Sequence, residues 1–225
     1  MAKILVLLPI WKREKITLIC LDNLKKLQKS YDIDVLCIVS EQWAKVAAFD
    51  RGFKYVNAPN DCLGTKMNIG IREAVKYPFD YLMNLGDDDI ITERLLKTYE
   101  PYMENETPIL GISKVTFLDS VSKEAKNFDY KILIGAGRCI KRDILERELE
   151  KGDIYDKIQV GLDNNSMKKF EKYVAHIIDV GFGCLIDIKS DVNIWDYKIL
   201  SGDEVTFEEA VKELETKQID SIVDL

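Results

Sequence analysis

Three consecutive aspartates, Asp87, Asp88 and Asp89, follow Gly86 at the end of the apolar run Tyr81-Leu82-Met83-Asn84-Leu85. Adjacent carboxylates repel one another, so the triplet needs solvent or a cation. Successive side chains on a strand point to opposite sides. That alternation predicts that Asp87 and Asp89 share one target while Asp88 turns away. Hard divalent ions such as Mg²⁺ or Mn²⁺ take oxygen ligands, commonly one or two carboxylates plus substrate phosphate oxygens. The alternative is an acidic turn ahead of a helix, with Thr92 as its N-cap.

The elements that must position these groups follow from the hydrophobic pattern. Residues 3–8 and 33–39 are unbroken aliphatic runs, the signature of strands buried on both faces. Residues 53–56 and 79–85 are further strands. Helices are predicted over 16–29, with Leu18, Leu21, Leu24 and Leu27 on one face, over 42–50 and over 66–77, ending before Pro78. Strands alternating with helices predict a mostly parallel sheet with right-handed crossovers. The strand ends then share one rim, where open α/β sheets bind ligands. Pro9, Trp11 and Arg13, then Ser40 and Glu41, then Asn57 and Asn60, then the aspartates all fall on that rim. Lys66 and Asn68 follow Gly64 and Thr65 at a helix start, whose free N–H groups suit an anion. Asn68 is a poor helix former there, which suggests a side-chain task.

The second half is less regular. A helix at 92–103 contains Pro101. Strands are predicted at 109–118, 132–140 (interrupted by Gly135 and Gly137), 174–180 and 184–188. Helices are predicted at 141–151, at about 166–173 after the loop Gly161-Leu162-Asp163-Asn164-Asn165, and at 206–214, where Thr206-Phe207-Glu208-Glu209 fits a capping box. Gly135-Ala136-Gly137 would let backbone approach a ligand, or form a strand bulge. Segments 187–190 and 193–197 are unusual for plain surface and suggest an acceptor or lid segment, or a C-terminal wrap.

Composition sets outer bounds. The 225 residues are 47% hydrophobic, which supports a real core. A net charge of −7 argues against broad nucleic-acid binding, which needs a basic face. Five scattered cysteines without a Cys-x-x-Cys pair point to a reducing cytoplasm and no zinc site. No apolar run is long enough to cross a membrane.

The ordered set Pro9, Arg13, Tyr55-Val56-Asn57-Ala58-Pro59-Asn60, Gly64, Lys66-Met67-Asn68-Ile69-Gly70 and the Asp-x-Asp after an aromatic-rich strand resembles the nucleotide-binding half of GT-A glycosyltransferases, especially family 2. The resemblance spans about residues 3–100. It implies an α/β, GT-A-like (Rossmann-like) single domain over residues 1–200. Residues 1–100 would bind a nucleotide sugar, residues 101–200 would form a mixed acceptor half, and an amphipathic helix and tail would occupy 201–225. It implies an Mn²⁺ or Mg²⁺ ion held by Asp87 and Asp89 and bridging the diphosphate of a UDP- or GDP-sugar. Pro9, Trp11, Arg13, Glu41, Lys66, Asn68, Asp87 and Asp88 become donor-binding candidates. Asp163, near a helix start, becomes the general base of an inverting transfer to a hydroxyl, with an N-cap as its structural alternative and Asp153 and Asp156 as weaker candidates. His176, the only histidine, becomes a third metal ligand, and Asp179 and Asp187 have open roles.

The chain departs from the family pattern at three places. Ser40-Glu41-Gln42 replaces an Asp-Gly-Ser turn. Leu162 replaces an acidic neighbour of Asp163. In a second register the first metal-motif position falls on Gly86, leaving Asp88 and Asp89. Two other readings stand beside the transferase. A sugar-phosphate nucleotidyltransferase usually has a glycine-rich loop after the first strand, which residues 9–14 lack. A non-catalytic nucleotide or sugar binder is the other. The acceptor stays open among saccharide, lipid, protein and modified nucleobase.

Overall fold

Residues 2–190 and 197–225 are described by the structure, a computed structural model. Within the suggested acceptor or lid segment, residues 193–196 lie outside the described residues.

The first half alternates as expected: β1 (Ile4–Pro9), α1 (Glu14–Leu27), β2 (Ile33–Val39), α2 (Gln42–Asp50), β3 (Lys54–Asn57), α3 (Leu63–Ala74) and β4 (Tyr81–Asn84). β1 lies between β2 and β4, parallel to both, and β3 extends the sheet beyond β2. Val6 and Leu8 pack on one face, against Leu21 and Leu24 of α1 and Ala44 of α2. Leu5 and Leu7 pack on the other, against Met67 and Ile71 of α3. Both faces of β1 are therefore core, and its sequence shows no alternation for that reason.

The second half contributes β5 (Asp89–Ile91), α4 (Glu93–Glu104), β6 (Ile109–Gly111), β7 (Lys114–Asp119), β8 (Ala125–Asp129), β9 (Cys139–Lys141), α5 (Arg142–Leu149), α6 (Leu162–Phe170), β10 (Ala175–Ile177), β11 (Leu185–Lys189), β12 (Asp203–Val205), α7 (Phe207–Val211) and α8 (Thr216–Val223). The first sheet runs β10-β6-β9-β4-β1-β2-β3 and is parallel except at β9. A smaller mixed sheet runs β12-β8-β7-β11-β5.

Two expected strands take a different form. The strand at 109–118 is split, with β6 in the large sheet and β7 in the small one, because the chain changes sheets at Ile112 and Ser113. Most of 132–140 is irregular. Gly137, at φ 74°, turns the chain, and only Cys139–Lys141 joins the sheet. Pro101 sits in the last turn of α4, where the helix tolerates it. Thr206 accepts from the Glu209 N–H and completes the expected capping box of α7. No described helix is long and apolar enough to cross a membrane.

Candidate functional site

The first loop is shaped by Lys12, whose φ of 64° is sparsely allowed for a residue with a side chain. This turn sends two successive N–H groups in different directions. Trp11 donates to Asp87 Oδ2 at 2.9 Å, and Lys12 donates to Glu41 Oε2 at 3.0 Å. Arg13 then caps α1 and forks across the aspartates, donating from Nη2 to Asp87 and from Nη1 to Asp88. Thr17 Oγ1 donates to Asp87 at 3.1 Å. Burial works against the charge of Arg13, but the carboxylates of Asp88 and Asp87 overcome it, and the guanidinium stays firmly protonated. Burial pushes the Asp87 carboxyl up to about 6 despite Arg13.

The aspartates do not follow strand alternation. β4 ends at Asn84, and Gly86–Asp89 is a turn closed by the Asp89 N–H donating to the Gly86 carbonyl at 3.2 Å. Gly86 N–H in turn donates to Asp89 Oδ2 at 2.7 Å. Asp87 is thereby directed back to Arg13 and Thr17. Asp88 and Asp89 instead meet Asp187, which lies opposite Asp89 in the β5–β11 pair. Asp88, Asp89 and Asp187 each offer an oxygen, all within 4.8 Å of one another. This grouping corresponds to the register that leaves Gly86 in the first motif position.

The charges of this cluster do not balance. Four carboxylates, Asp87, Asp88, Asp89 and Asp187, lie together, with Arg13 paired to Asp87 and Asp88 and Lys189 paired to Asp187 and Asp88. Lys189 Nζ donates to Asp187 Oδ2 at 2.6 Å and lies 4.0 Å from Asp88. Asp187 Oδ1 is buried with no hydrogen-bond partner. Burial and then Asp88 push the Asp187 carboxyl up to about 7, and burial raises Asp89 well above the usual carboxylate range. A buried carboxylate oxygen without a partner, beside two more carboxylates, is a donor set suited to a hard divalent ion.

These groups line one cleft of about 450 Å³. Pro9, Trp11, Arg13, Lys66, Asp87, Asp88 and Asp89 all border it, with Asn60, Asp187 and Lys189. Ala136, Gln159 and Val160 contribute from the second half. Trp11 is 37% exposed, with Lys12 Nζ 4.6 Å from its ring centroid.

Lys66 is buried and braces the rim. Its Nζ donates to the Ile10 carbonyl at 2.5 Å, to Ser40 Oγ at 3.0 Å and to Asn60 Oδ1 at 2.6 Å. Burial depresses its ammonium to about 8. It ties together the segments after β1, β2 and β3 with its side chain, rather than offering a helix-start anion site.

Six expected positions have structural contacts of their own. Asn68 is spent on the Tyr155 backbone, donating to its carbonyl at 2.8 Å and accepting its N–H at 3.0 Å, outside the cleft lining. Glu41 anchors the Lys12 N–H and also stands outside the lining. His176 is exposed on the edge strand β10, separated from β4 by β6 and β9, with its ring 6.2 Å from that of Tyr102. Asp153 pairs with Arg72, Asp156 accepts from Asn165, and Asp179 pairs with Lys114.

Asp163 is the second residue of α6, because Gly161 takes the N-cap position at φ 74°. The expected structural alternative, an N-cap, is therefore filled by glycine. The Asp163 carboxyl is 58% exposed and accepts the Gly135 N–H at 3.1 Å, beside cleft-lining Ala136. Beneath it lies Arg138, which is fully buried. Its helix-flanking position in the sequence, before Lys141 and Arg142, gave no sign of that burial.

This arrangement of sheets and helices is a GT-A-type glycosyltransferase fold. Glucosyl-3-phosphoglycerate synthase from Mycobacterium tuberculosis, solved with Mn²⁺, UDP and glucosyl-3-phosphoglycerate, superposes with a TM-score of 0.54. The two are 12% identical, over 80% of this chain and 71% of that one. S. aureus TarS 1–349 gives a TM-score of 0.55 at 14% identity, over 98% of this chain and 69% of that one. Against a longer TarS chain the match covers 84% of this chain but only 35% of TarS. At such identities the likeness carries the fold. No protein-family model matches the sequence, and no curated protein matches it by sequence.

Proposed function

We propose that this protein is a metal-dependent glycosyltransferase that moves a sugar from a nucleoside-diphosphate sugar to a hydroxyl acceptor. The observation that carries the reading is the group Asp88, Asp89 and Asp187 in the cleft, with the buried Oδ1 of Asp187 unpartnered. Those residues would hold an Mn²⁺ or Mg²⁺ ion. Such an ion, when bound, supplies positive charge to the diphosphate that departs from the sugar. Asp87 holds Arg13 across the floor of the donor site instead of joining Asp89 on the metal. Pro9 and Trp11 border the donor site and Lys66 braces its rim. Structures of this fold that contain UDP and Mn²⁺ support a nucleotide donor.

Asp163 removes the proton from the acceptor hydroxyl as that oxygen attacks the anomeric carbon. One base on the acceptor side favours inversion. The half-exposed carboxyl at the edge of the cleft, beside Ala136, supports this role.

Calorimetric titration with UDP and with GDP, each in Mn²⁺ and in EDTA, tests the donor site. One nucleotide should bind only with metal, and Asp88→Ala and Asp187→Asn should each abolish that binding. A folded protein that binds neither nucleotide would overturn the reading.

A further inference from the structure

We propose that Arg138, together with Gly135, is the positioning device for Asp163, setting the carboxylate in place from inside the fold. This inference rests on the role of Asp163 proposed above, but its geometry is independent of it.

Arg138 is the largest fully buried side chain among the described residues. A buried charge is expensive unless it is paired and hydrogen-bonded. Its Nη2 donates to Ser166 Oγ at 2.9 Å, and its Nη1 lies 3.4 Å from the Asp163 carbonyl. The carboxylate paired with it is Asp163 itself, with Oδ1 3.8 Å from Nη2. Ser166 Oγ also donates to the Asp163 carbonyl at 3.0 Å. The guanidinium thus grips the first turn of α6 through its backbone, a serine and a carboxylate.

The opposite oxygen of Asp163 is held by the Gly135 N–H. Gly135 has to be glycine for this, because a Cβ there would overlap the Asp163 carboxylate. The two holding groups belong to one short segment, and that segment is fixed to the end of β4. Gly137 N–H donates to the Asn84 carbonyl at 2.8 Å, and Asn84 N–H donates to the Arg138 carbonyl at 3.0 Å. Asn84 lies two residues before Gly86, where the aspartate turn begins. A short, hydrogen-bonded path therefore connects the turn bearing Asp88 and Asp89 to the acceptor-side carboxylate. The distance between the two halves of the site is set by backbone bonds rather than by a mobile loop. Catalytic groups lose orders of magnitude when they drift by an ångström, so such a brace has a clear use.

The test uses the Gly135 amide as a reporter. In ¹H–¹⁵N spectra of the full chain, Asp163→Asn should move the Gly135 amide resonance, because the charged acceptor is lost. Arg138→Met should move it in the same direction, while Arg138→Lys should restore at least half of the wild-type position. Gly135→Ala provides a second variant that displaces the Asp163 carboxylate from the other side while keeping the Arg138 side chain. With UDP-glucose, UDP-N-acetylglucosamine, UDP-galactose and GDP-mannose as donors and water as acceptor, Arg138→Met and Gly135→Ala should each lower kcat at least tenfold. Their nucleotide affinity in Mn²⁺ should stay within about twofold of wild type. In the Asp163→Asn background, Arg138→Met should lower kcat no further. If Arg138→Met folds and leaves the Gly135 amide unmoved, the proposal fails. If Asp163→Asn keeps full turnover while the amide still responds to Arg138, the general-base reading fails and the positioning geometry stands.

Discussion

Asp187 ionises at a cost to this fold. Burial and the neighbouring Asp88 raise its carboxyl from the ordinary 3.8 to about 7. The folded chain therefore keeps a proton there that the unfolded chain has released. That contribution to stability is fully present below the unfolded value and is lost as pH rises through the folded one. In EDTA, Asp187→Asn should melt above wild type near about pH 8, by a few degrees, and the gap should narrow as pH falls through about 7 and close only below the unfolded value of 3.8. Lys189 keeps Asp88 as a partner in that variant. Mn²⁺ should raise the wild-type melting temperature near about pH 8 and leave that of Asp187→Asn unchanged. A wild type that melts higher than the variant in EDTA would contradict this account. Gly86 offers a second test. A Cβ there would stand 2.7 Å from Asp88 Oδ1 and 2.8 Å from Asp89 Oδ2. Gly86→Ala should weaken Mn²⁺ binding at least tenfold, measured by calorimetry, with the fold retained by circular dichroism. The aspartate triplet and its neighbours Trp11, Arg13 and Lys66 were legible in sequence, because polar residues at the ends of parallel strands have one rim to occupy. The grouping of the carboxylates was not. It depends on a turn that interrupts alternation after Asn84, and on a partner, Asp187, brought in from about a hundred residues away.

The helices and strands of the first half were readable because each carries its own period. α1, β2 and α2 depend mainly on local pattern and on two buried faces. The second half depends on pairings between distant segments, and its elements are three to six residues long in the strands. A strand of three residues shows no period, so β6 and β7 read as one run. β8, with a mostly half-buried pattern, showed no strand signal at all. The link between halves is made by side chains whose sequence context was ambiguous. Asn68 in α3 pairs with both backbone groups of Tyr155, as a strand neighbour would. Replacing it by alanine leaves a buried N–H and a buried carbonyl without partners, at about 1–3 kcal/mol each. Asn68→Ala should therefore lose about 2–4 kcal/mol in urea denaturation. Since Asn68 does not line the cleft, nucleotide affinity at a temperature where the variant is folded should change little. A variant as stable as wild type but unable to bind nucleotide would return Asn68 to the donor site.

At the scale of the molecule, the last 25 residues are built into the body. The sequence suggested an amphipathic helix with a tail over 201–225. In the structure β12 pairs with β8, and α7 and α8 close a third hydrophobic cluster. Ala210, Val211, Leu214 and Ile222 meet Ile16, Ile19 and Cys20 of α1, together with Ile90, Ile186 and Ile188 of the small sheet. Gln218 Nε2 donates to Asn23 Oδ1 at 2.7 Å, and Lys26 pairs with Glu215 at 2.9 Å. α1 also carries Thr17, begins immediately after Arg13, and so holds one side of the aspartate site, while β11 holds Asp187 and Lys189. The C-terminal segment thus covers the outer faces of two elements whose other ends reach the cleft. Deleting residues 201–225 exposes several aliphatic side chains, each worth about 1.5–3 kcal/mol when fully buried. A typical domain has only about 5–15 kcal/mol in total. The truncated chain should therefore melt at least ten degrees lower or aggregate on expression, and any folded fraction should bind Mn²⁺ and nucleotide more weakly because α1 and β11 lose their backing. A truncated chain with unchanged melting temperature and unchanged metal affinity would show instead that the segment is an appendage, and that the small sheet holds Asp187 in place without it.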